Sequence, residues 1–295
     1  MRFLRPTTGS AVGGGGRRRA HVRPMAEADI PACAEVIGAA FAMPVDVHAR
    51  HRAERRLAHL LATDPAGAFV GEARGRVVGV AQAYLREGLW CLSMLAVDPH
   101  GQSAGVGRAL FRRALAYGDG EPGLIVGSND PRALRLYAAA GFSLQPTLEA
   151  RGRIDRRDFP APSAEVVTGS AADLDVIAGF SRAVRGAAHT PEIAFALSRG
   201  AQLLIIRDRG FAVAEPGSGV WLLAAVDDRA ASALLWSALD VAGDVERPVR
   251  WITGGQDWAV DVVVRAGLQI SAYGALCVRG HPGPLRPFLP SGSFA

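Results

Sequence analysis

Apolar positions along the first half of the chain alternate between two periods. Residues 21–24 read as a short strand. Apolar residues three and four apart across 27–42, and again across 47–62, predict two helices. Runs at 68–72 and 77–85 around Arg74-Gly75-Arg76 predict two strands, and 90–97 a third, more buried one. A polar turn of small residues follows, then an amphipathic helix from near Ser103 to about Gly118, then a strand at 123–127. The next helix opens at Asn129, carries Pro131 in its first turn and stops at Gly141. A strand pair from Phe142 to about Ile154 closes the half. Residues 155–163 are charged and proline-bearing and read as a linker. The same order then returns: a strand at 165–168, helices at 171–184 and 192–199, and strands at 202–207 and 211–215 around Asp208-Arg209-Gly210. A buried strand at 221–226, a helix at 228–241, a strand at 249–253 and a helix at 257–266 before Gly267 complete it. The ending, His281-Pro282-Gly283-Pro284-Leu285-Arg286-Pro287-Phe288-Leu289-Pro290, cannot be helical. It is either an extended arm on a surface, across the domain boundary, or a free tail.

With 295 residues the chain has room for two ordinary domains, and 49% hydrophobic against 21% charged residues suits a packed soluble protein. No apolar run is long enough for a membrane span, and the first twenty residues lack a secretory apolar core. That tail holds five arginines (Arg2, Arg5, Arg17, Arg18, Arg19) and no acid, which accounts for the whole net charge of +5. The body is neutral overall, whereas a nucleic-acid function would want a basic face on it, and the tail reads as disordered or as an upstream start that adds little. Cys33, Cys91 and Cys277 are far apart and odd in number, as buried free thiols in a reducing cytoplasm would be. No cysteine or histidine spacing suits zinc, and no metal is expected.

The chemistry concentrates in Val97-Asp98-Pro99-His100-Gly101-Gln102-Ser103-Ala104-Gly105-Val106-Gly107-Arg108-Ala109-Leu110. A strand, a glycine-bearing turn and a helix start aim several backbone N–H groups at one point, which suits a phosphate or pyrophosphate. A P-loop would need Lys, and the chain has none. A dinucleotide fold would need a small residue at Leu110 and an acid after the next strand. The stretch instead resembles the acetyl-CoA pyrophosphate loop of the GCN5-related N-acetyltransferases (GNAT), Gln/Arg-x-x-Gly-x-Gly/Ala, filled by Gln102, Gly105 and Gly107. A second motif of that family, Asn-x-x-Ala-x-x-x-Tyr-x-x-x-Gly-Phe, is matched by Ala133, Tyr137, Gly141 and Phe142, with Asn129 standing one residue ahead of the place the pattern gives its Asn.

The element order β-α-α-β-β-β-α-β-α-β is the one this resemblance implies. In the second half Gly267 stands for Gly141, Val263 for Tyr137 and Gly255 for Asn129. Val226-Asp227 stands for Val97-Asp98, but the following Asp228-Arg229-Ala230-Ala231-Ser232 has no glycine and extra negative charge. The expected fold class is therefore α/β, two tandem GNAT folds, each a mixed, mostly antiparallel sheet flanked by helices. Residues 1–20 form the tail, 21–154 a catalytic domain, 155–163 the linker, 164–280 a degenerate domain and 281–295 the arm.

The resemblance implies an acetyl-CoA-dependent N-acetyltransferase acting on a primary amine of a small molecule or peptide. Leu95, Ala96 and Val97 would hold the pantetheine arm through main-chain hydrogen bonds. Gln102, Ser103, Ala104, Gly105, Val106, Gly107, Arg108 and Ala109 would cradle the pyrophosphate, and Asn129 would contact the cofactor arm. Tyr137, a phenol of pKa about 10, stays protonated at neutral pH and suits a departing thiolate. The base is the weak point: Leu92-Ser93-Met94-Leu95 carries no acid. Glu87 is the nearest carboxylate, acting through water, or else a turn residue beside Gly88; Ser93 is placed to hold a water. Phe41, Asp46 and His48 are candidates for substrate selection. Arg185 and His189 either face the first domain's cleft or lie on the surface. The rival reading is a non-catalytic acyl-CoA-binding sensor. A cytoplasmic monomer is expected, the second domain standing in for a partner subunit.

Overall fold

The computed structural model describes residues 21–43, 46–101, 105–157, 159–161, 163–246 and 248–294. The predicted tail lies outside them, as do Gln102, Ser103 and Ala104. In chain order the first half comprises β1 (His21–Pro24), α1 (Ile30–Ala40), α2 (Val47–Thr63), β2 (Ala68–Ala73), β3 (Arg76–Arg86), β4 (Leu89–Val97), α3 (Val106–Ala116), β5 (Gly123–Gly127), α4 (Pro131–Ala139) and β6 (Ser143–Arg151). Two tight turns, with Arg74-Gly75 and Glu87-Gly88 all at positive φ, fold β2 to β4 into an antiparallel meander. α3 and α4 cover one face of the sheet, where Leu110, Phe111, Tyr137 and Phe142 pack on Trp90 and Ile125. α1 and α2 cover the other, with Cys33, Val36, Ile37 and Leu57 against Val70, Val80 and Met94. Leu57 and Leu60 are fully buried, each stabilising the fold by roughly 1.5–3 kcal/mol.

The second half comprises β7 (Val166–Gly169), α5 (Leu174–Arg185), α6 (Thr190–Leu197), β8 (Gln202–Ile206), β9 (Gly210–Glu215), β10 (Gly219–Ala225), α7 (Asp228–Ala242), β11 (Val249–Thr253), α8 (Asp257–Arg265), β12 (Gln269–Arg279) and β13 (Phe288–Leu289). The strand pair predicted for 142–154 is a single strand, β6, and its partners come from the far end of the chain. The larger sheet runs β1-β2-β3-β4-β5-β12-β6-β11. β12, which the pattern after Gly267 did not announce, threads between β5 and β6 and pairs antiparallel with both. β6 in turn pairs with β11. The two halves thus share a continuous sheet through crossed final strands, and a second sheet, β13-β10-β9-β8-β7, belongs to the second half.

β6 ends because the chain turns off at Gly152, at φ 116°, into a strap. The predicted linker is docked where it is described: the Asp155 N–H donates to the Ala266 carbonyl (2.9 Å), and Phe159 packs edge-on against Trp236 of α7, 4.9 Å between ring centres. One apolar cluster joins Leu60, Tyr84, Cys91 and Leu124 of the first half to Ile177, Val184, Phe211, Leu222 and Phe294 of the second.

Ions are buried in that junction. Arg86 bonds Asp64 at 2.9 Å and Glu192 at 2.7 Å. Burial raises the Glu192 carboxyl above the usual carboxylate range even though Arg86 and Arg185 oppose it. Arg185 and His189 are neither cleft nor surface residues. Both are fully buried, 2.7 Å apart, with Arg185 also donating to the carbonyls of Ala187 and Ala188 and to the Tyr84 hydroxyl. Buried ions of this kind fix geometry more than they add stability, and removing one partner is costly. The three cysteines are free and buried, and burial pushes the Cys33 and Cys277 thiols up to about 12. Among the described residues no helix is long and apolar enough to cross a membrane, and no group of three or more His, Cys, Asp or Glu is placed to hold a metal ion.

Candidate active site

β4 and β5 run parallel from Trp90 to Leu92, paired with Gly123 to Ile125, and then part. A β-bulge accompanies the parting. Between the pairs Ala83–Leu92 and Gln82–Met94 the ladder advances one residue on β3 and two on β4, leaving Ser93 unpaired. Such a bulge bends a strand and increases its twist. Met94 to Val97 stay with β3, while among the described residues no strand pairs with Leu95 or Ala96 on the β5 side.

The widening gap opens toward the start of α3. Gly105 sits at φ 77°, a conformation that side-chain-bearing residues rarely adopt, and among the described residues no side chain caps the helix there. α3 therefore begins at Val106 rather than near Ser103. The Ala109 N–H donates to the Gly105 carbonyl (3.0 Å) and closes the first turn. The N–H groups of Val106, Gly107 and Arg108 have no intrahelical acceptor, and the positive end of the helix dipole adds to them. A Cβ on Gly107 would stand 3.3 Å from Val97 Cγ2, so the backbone comes close to β4 there.

Tyr137 stands on α4 beside the end of β5: a Cβ on Gly127 would lie 3.5 Å from its ring. The ring packs on Phe111, 5.4 Å between centres, and the residue is 5% exposed. Burial raises its hydroxyl well above the ordinary phenol range, so it is protonated at neutral pH. Asn129 does not open α4. Asp130 does, accepting the Arg132 N–H at 2.8 Å, while the Asn129 side chain accepts the Gly274 N–H of β12. Asn129 thus ties β5's end to the inserted strand.

Glu87 is not brought to this site. It lies in the β3–β4 turn, at the far end of β4 from Leu95, roughly 25 Å away at a strand's rise of about 3.3 Å per residue. Its carboxylate accepts from Arg182 at 2.7 Å and 3.0 Å and from the Ala188 N–H at 3.0 Å. These partners, Arg182 first, hold it below the usual carboxylate range, the opposite of what a base needs. The assignment of Glu87 as base is therefore corrected: it fastens the second half to the first. Two buried polar atoms beside the bulge lack hydrogen-bond partners instead, Ser93 Oγ and Gln82 Oε1. The Gln82 amide donates to the Leu57 carbonyl (2.9 Å), fixing that side chain. Its signal was a single glutamine in the apolar run 77–85.

The second half repeats the layout. β10 carries its own bulge at Trp221, and the Val220 N–H donates to the Pro248 carbonyl (2.8 Å) as that of Trp90 does to Pro122 (2.9 Å), though one residue before the bulge where Trp90 stands three before. Counted from the bulges, Trp221 matches Ser93, and Leu223, Ala224 and Ala225 match Leu95, Ala96 and Val97. This register is one residue off the alignment that set Val226-Asp227 on Val97-Asp98. α7 then starts without a glycine turn. Asp227 caps it, accepting the Ala230 N–H at 2.9 Å, and pairs with Arg209 at 2.7 Å.

A mixed sheet opened at a bulge beside the start of a helix, and laid down twice in one chain, is the architecture of tandem GNAT folds. Residues 34–142 match the acetyltransferase (GNAT) family model. Over 87 residues the chain is 38% identical to a mycothiol acetyltransferase of Kineococcus radiotolerans; the match covers 28% of this chain and spans 29% of the relative's length. A candidate acetyltransferase from Pyrococcus horikoshii shares the fold with a TM-score of 0.79 at 16% identity, over 94% of this chain and 96% of its own. A GCN5-related N-acetyltransferase from Sphaerobacter thermophilus does so with a TM-score of 0.59 at 18% identity, over 90% and 97%.

Proposed function

We propose that the chain transfers the acetyl group of acetyl-CoA to a primary amine of a small molecule or peptide, using the first half. The observation that carries this reading is the β4–β5 gap at the Ser93 bulge, leading to the uncapped N-terminus of α3 behind Gly105. The residues fit the cosubstrate. Leu95, Ala96 and Val97 offer main-chain groups to an extended pantetheine arm, and the N–H groups from Gly105 through Arg108 suit a pyrophosphate, that of Ala109 being taken by the Gly105 carbonyl. Gln102, Ser103 and Ala104 complete that loop in the sequence. The cosubstrate supplies an activated thioester, and the curated relative's acetyltransferase name supports acetyl as the group moved.

Tyr137 Oη keeps its proton at neutral pH and donates a hydrogen bond to the departing sulfur, stabilising the thiolate that the proton lost by the amine neutralises. Ser93 Oγ and Gln82 Oε1, buried and unpartnered at the bulge, are the polar groups that position the amine or a water taking its proton. A non-catalytic acyl-CoA sensor is the second reading, favoured by the absence of any carboxylate along Leu89–Val97. Calorimetry with acetyl-CoA and CoA, followed by thiol release across a panel of amines, separates the two. Micromolar binding with amine-dependent thiol release supports the enzyme, binding with no release from any amine supports the sensor, and no binding removes both.

A further inference from the structure

The C-terminal arm lies in the second half's counterpart of the cofactor gap. β13 pairs antiparallel with β10 at Leu223 and Ala224, opposite Leu289 and Phe288, and the Ala225 N–H donates to the Pro287 carbonyl at 3.3 Å. Counted from the two bulges, these are the counterparts of Leu95, Ala96 and Val97. The pairing is main chain to main chain, the mode by which an extended peptide adds to an open strand edge. The approach is held as firmly. The Leu285 N–H donates to the Val184 carbonyl (2.8 Å), Gln256 Nε2 to the Leu285 carbonyl (2.9 Å) and the Phe288 N–H to Gln256 Oε1 (3.3 Å). Phe288 and Leu289 are each 1% exposed. The anion position is filled too, since the Asp227 carboxylate occupies the N-terminus of α7 that a phosphate would need.

We infer that the second half is a peptide-binding module whose resident ligand is the chain's own C-terminal arm, seated where the first half takes the pantetheine arm. Peptide has replaced cofactor at a gap of the same design. The chain accordingly takes up one acyl-CoA, not two, a corollary that rests on the function proposed above, whereas the seating of the arm does not.

The test uses the full chain with a protease site inserted at His281, which is exposed between β12 and the arm. After cutting, peptide 282–295 is expected to stay with the body through size exclusion. It should exchange for a fluorescent copy of the same sequence, which saturates one site. A peptide that leaves on cutting while the body keeps its circular dichroism overturns the inference. Amide exchange on the uncut chain gives a second reading that needs no variant. Acetyl-CoA should slow exchange across 94–97 and leave 222–225 unchanged, because the arm already covers it. Slowing in both segments, with two acyl-CoA bound per chain, overturns the inference. Slowing in neither overturns the cosubstrate reading alone, and the peptide readout still decides the arm.

Discussion

At the scale of single residues, the proposed function divides the site into groups that hold and one that reacts. Gly107 faces β4 at the positive end of α3, where a Cβ would already stand 3.3 Å from Val97 Cγ2 and a carboxylate would meet the place proposed for the pyrophosphate. Gly107→Glu should therefore weaken acetyl-CoA binding about 100-fold, near 2.7 kcal/mol, by calorimetry. Tyr137→Phe removes only a hydroxyl from a ring packed on Phe111. It should lower kcat by about 100-fold or more while the Kd for CoA holds. Glu87→Gln should leave kcat within about twofold of the parent and cost at most about 1 kcal/mol in stability, since its partner Arg182 is exposed. A kcat collapse in that variant would restore Glu87 to the chemistry. These residues were unequally legible. Gly105, Gly107 and Tyr137 show in the sequence because their spacing reflects local geometry, a turn and one helix face. Glu87 misled because nearness along the chain is not nearness in space on a strand, which separates residues by about 3.3 Å each. Gln82 and Ser93 matter through a bulge, and no sequence periodicity reveals which residue a ladder skips.

Elements show a similar split. The two runs of helices and strands, the hairpin turns and the stop at Gly141 were readable because each obeys a short-range rule. The partners of β6 were not, because pairing with β12 and β11 is decided by residues about a hundred positions or more away. The start of α3 moved from Ser103 to Val106 because one left-handed glycine ends the permitted helix. The placement of β12 depends on a second glycine. Gly274 has φ 62°, and a Cβ there would stand 2.0 Å from the Gly127 carbonyl oxygen at the end of β5. Gly274→Ala should destabilise the protein by about 2–3 kcal/mol in urea titration. It should also reduce activity, because the same residue donates to Asn129 at the mouth of the site.

For the whole molecule, the halves are fastened by apolar contact and by ions whose titration sets an acid limit. Asp64 is buried, which alone would raise its carboxyl. Arg86, Thr63 and the Leu85 N–H outweigh that and hold it below the usual range. Glu87 is lowered as well, by Arg182 first. Carboxyls whose folded values lie below their unfolded ones contribute stability that is complete above about pH 4–5 and lost as pH falls through the folded values. Glu192 is shifted the other way, and its protonation relieves part of the loss. The urea midpoint should stay level from pH 7 to about 5 and fall below about 4. A midpoint that rises on acidification would mean that Glu192 dominates the junction. Residues 21–154 made alone should be insoluble, for β5 and β6 would both present unpaired edges. The same segment made together with 155–295 should be recovered as a complex.

The crossing of β6 and β12 also sets a timetable for birth on the ribosome. Translation runs at about 5–20 residues per second, so β12 leaves the tunnel on the order of ten seconds after β6. Through that interval the nascent first half is complete in sequence and still has a slot in its sheet. Chaperones that cover naked strand edges have their longest opportunity there, and a stalled or truncated message would strand the chain at its most adhesive moment.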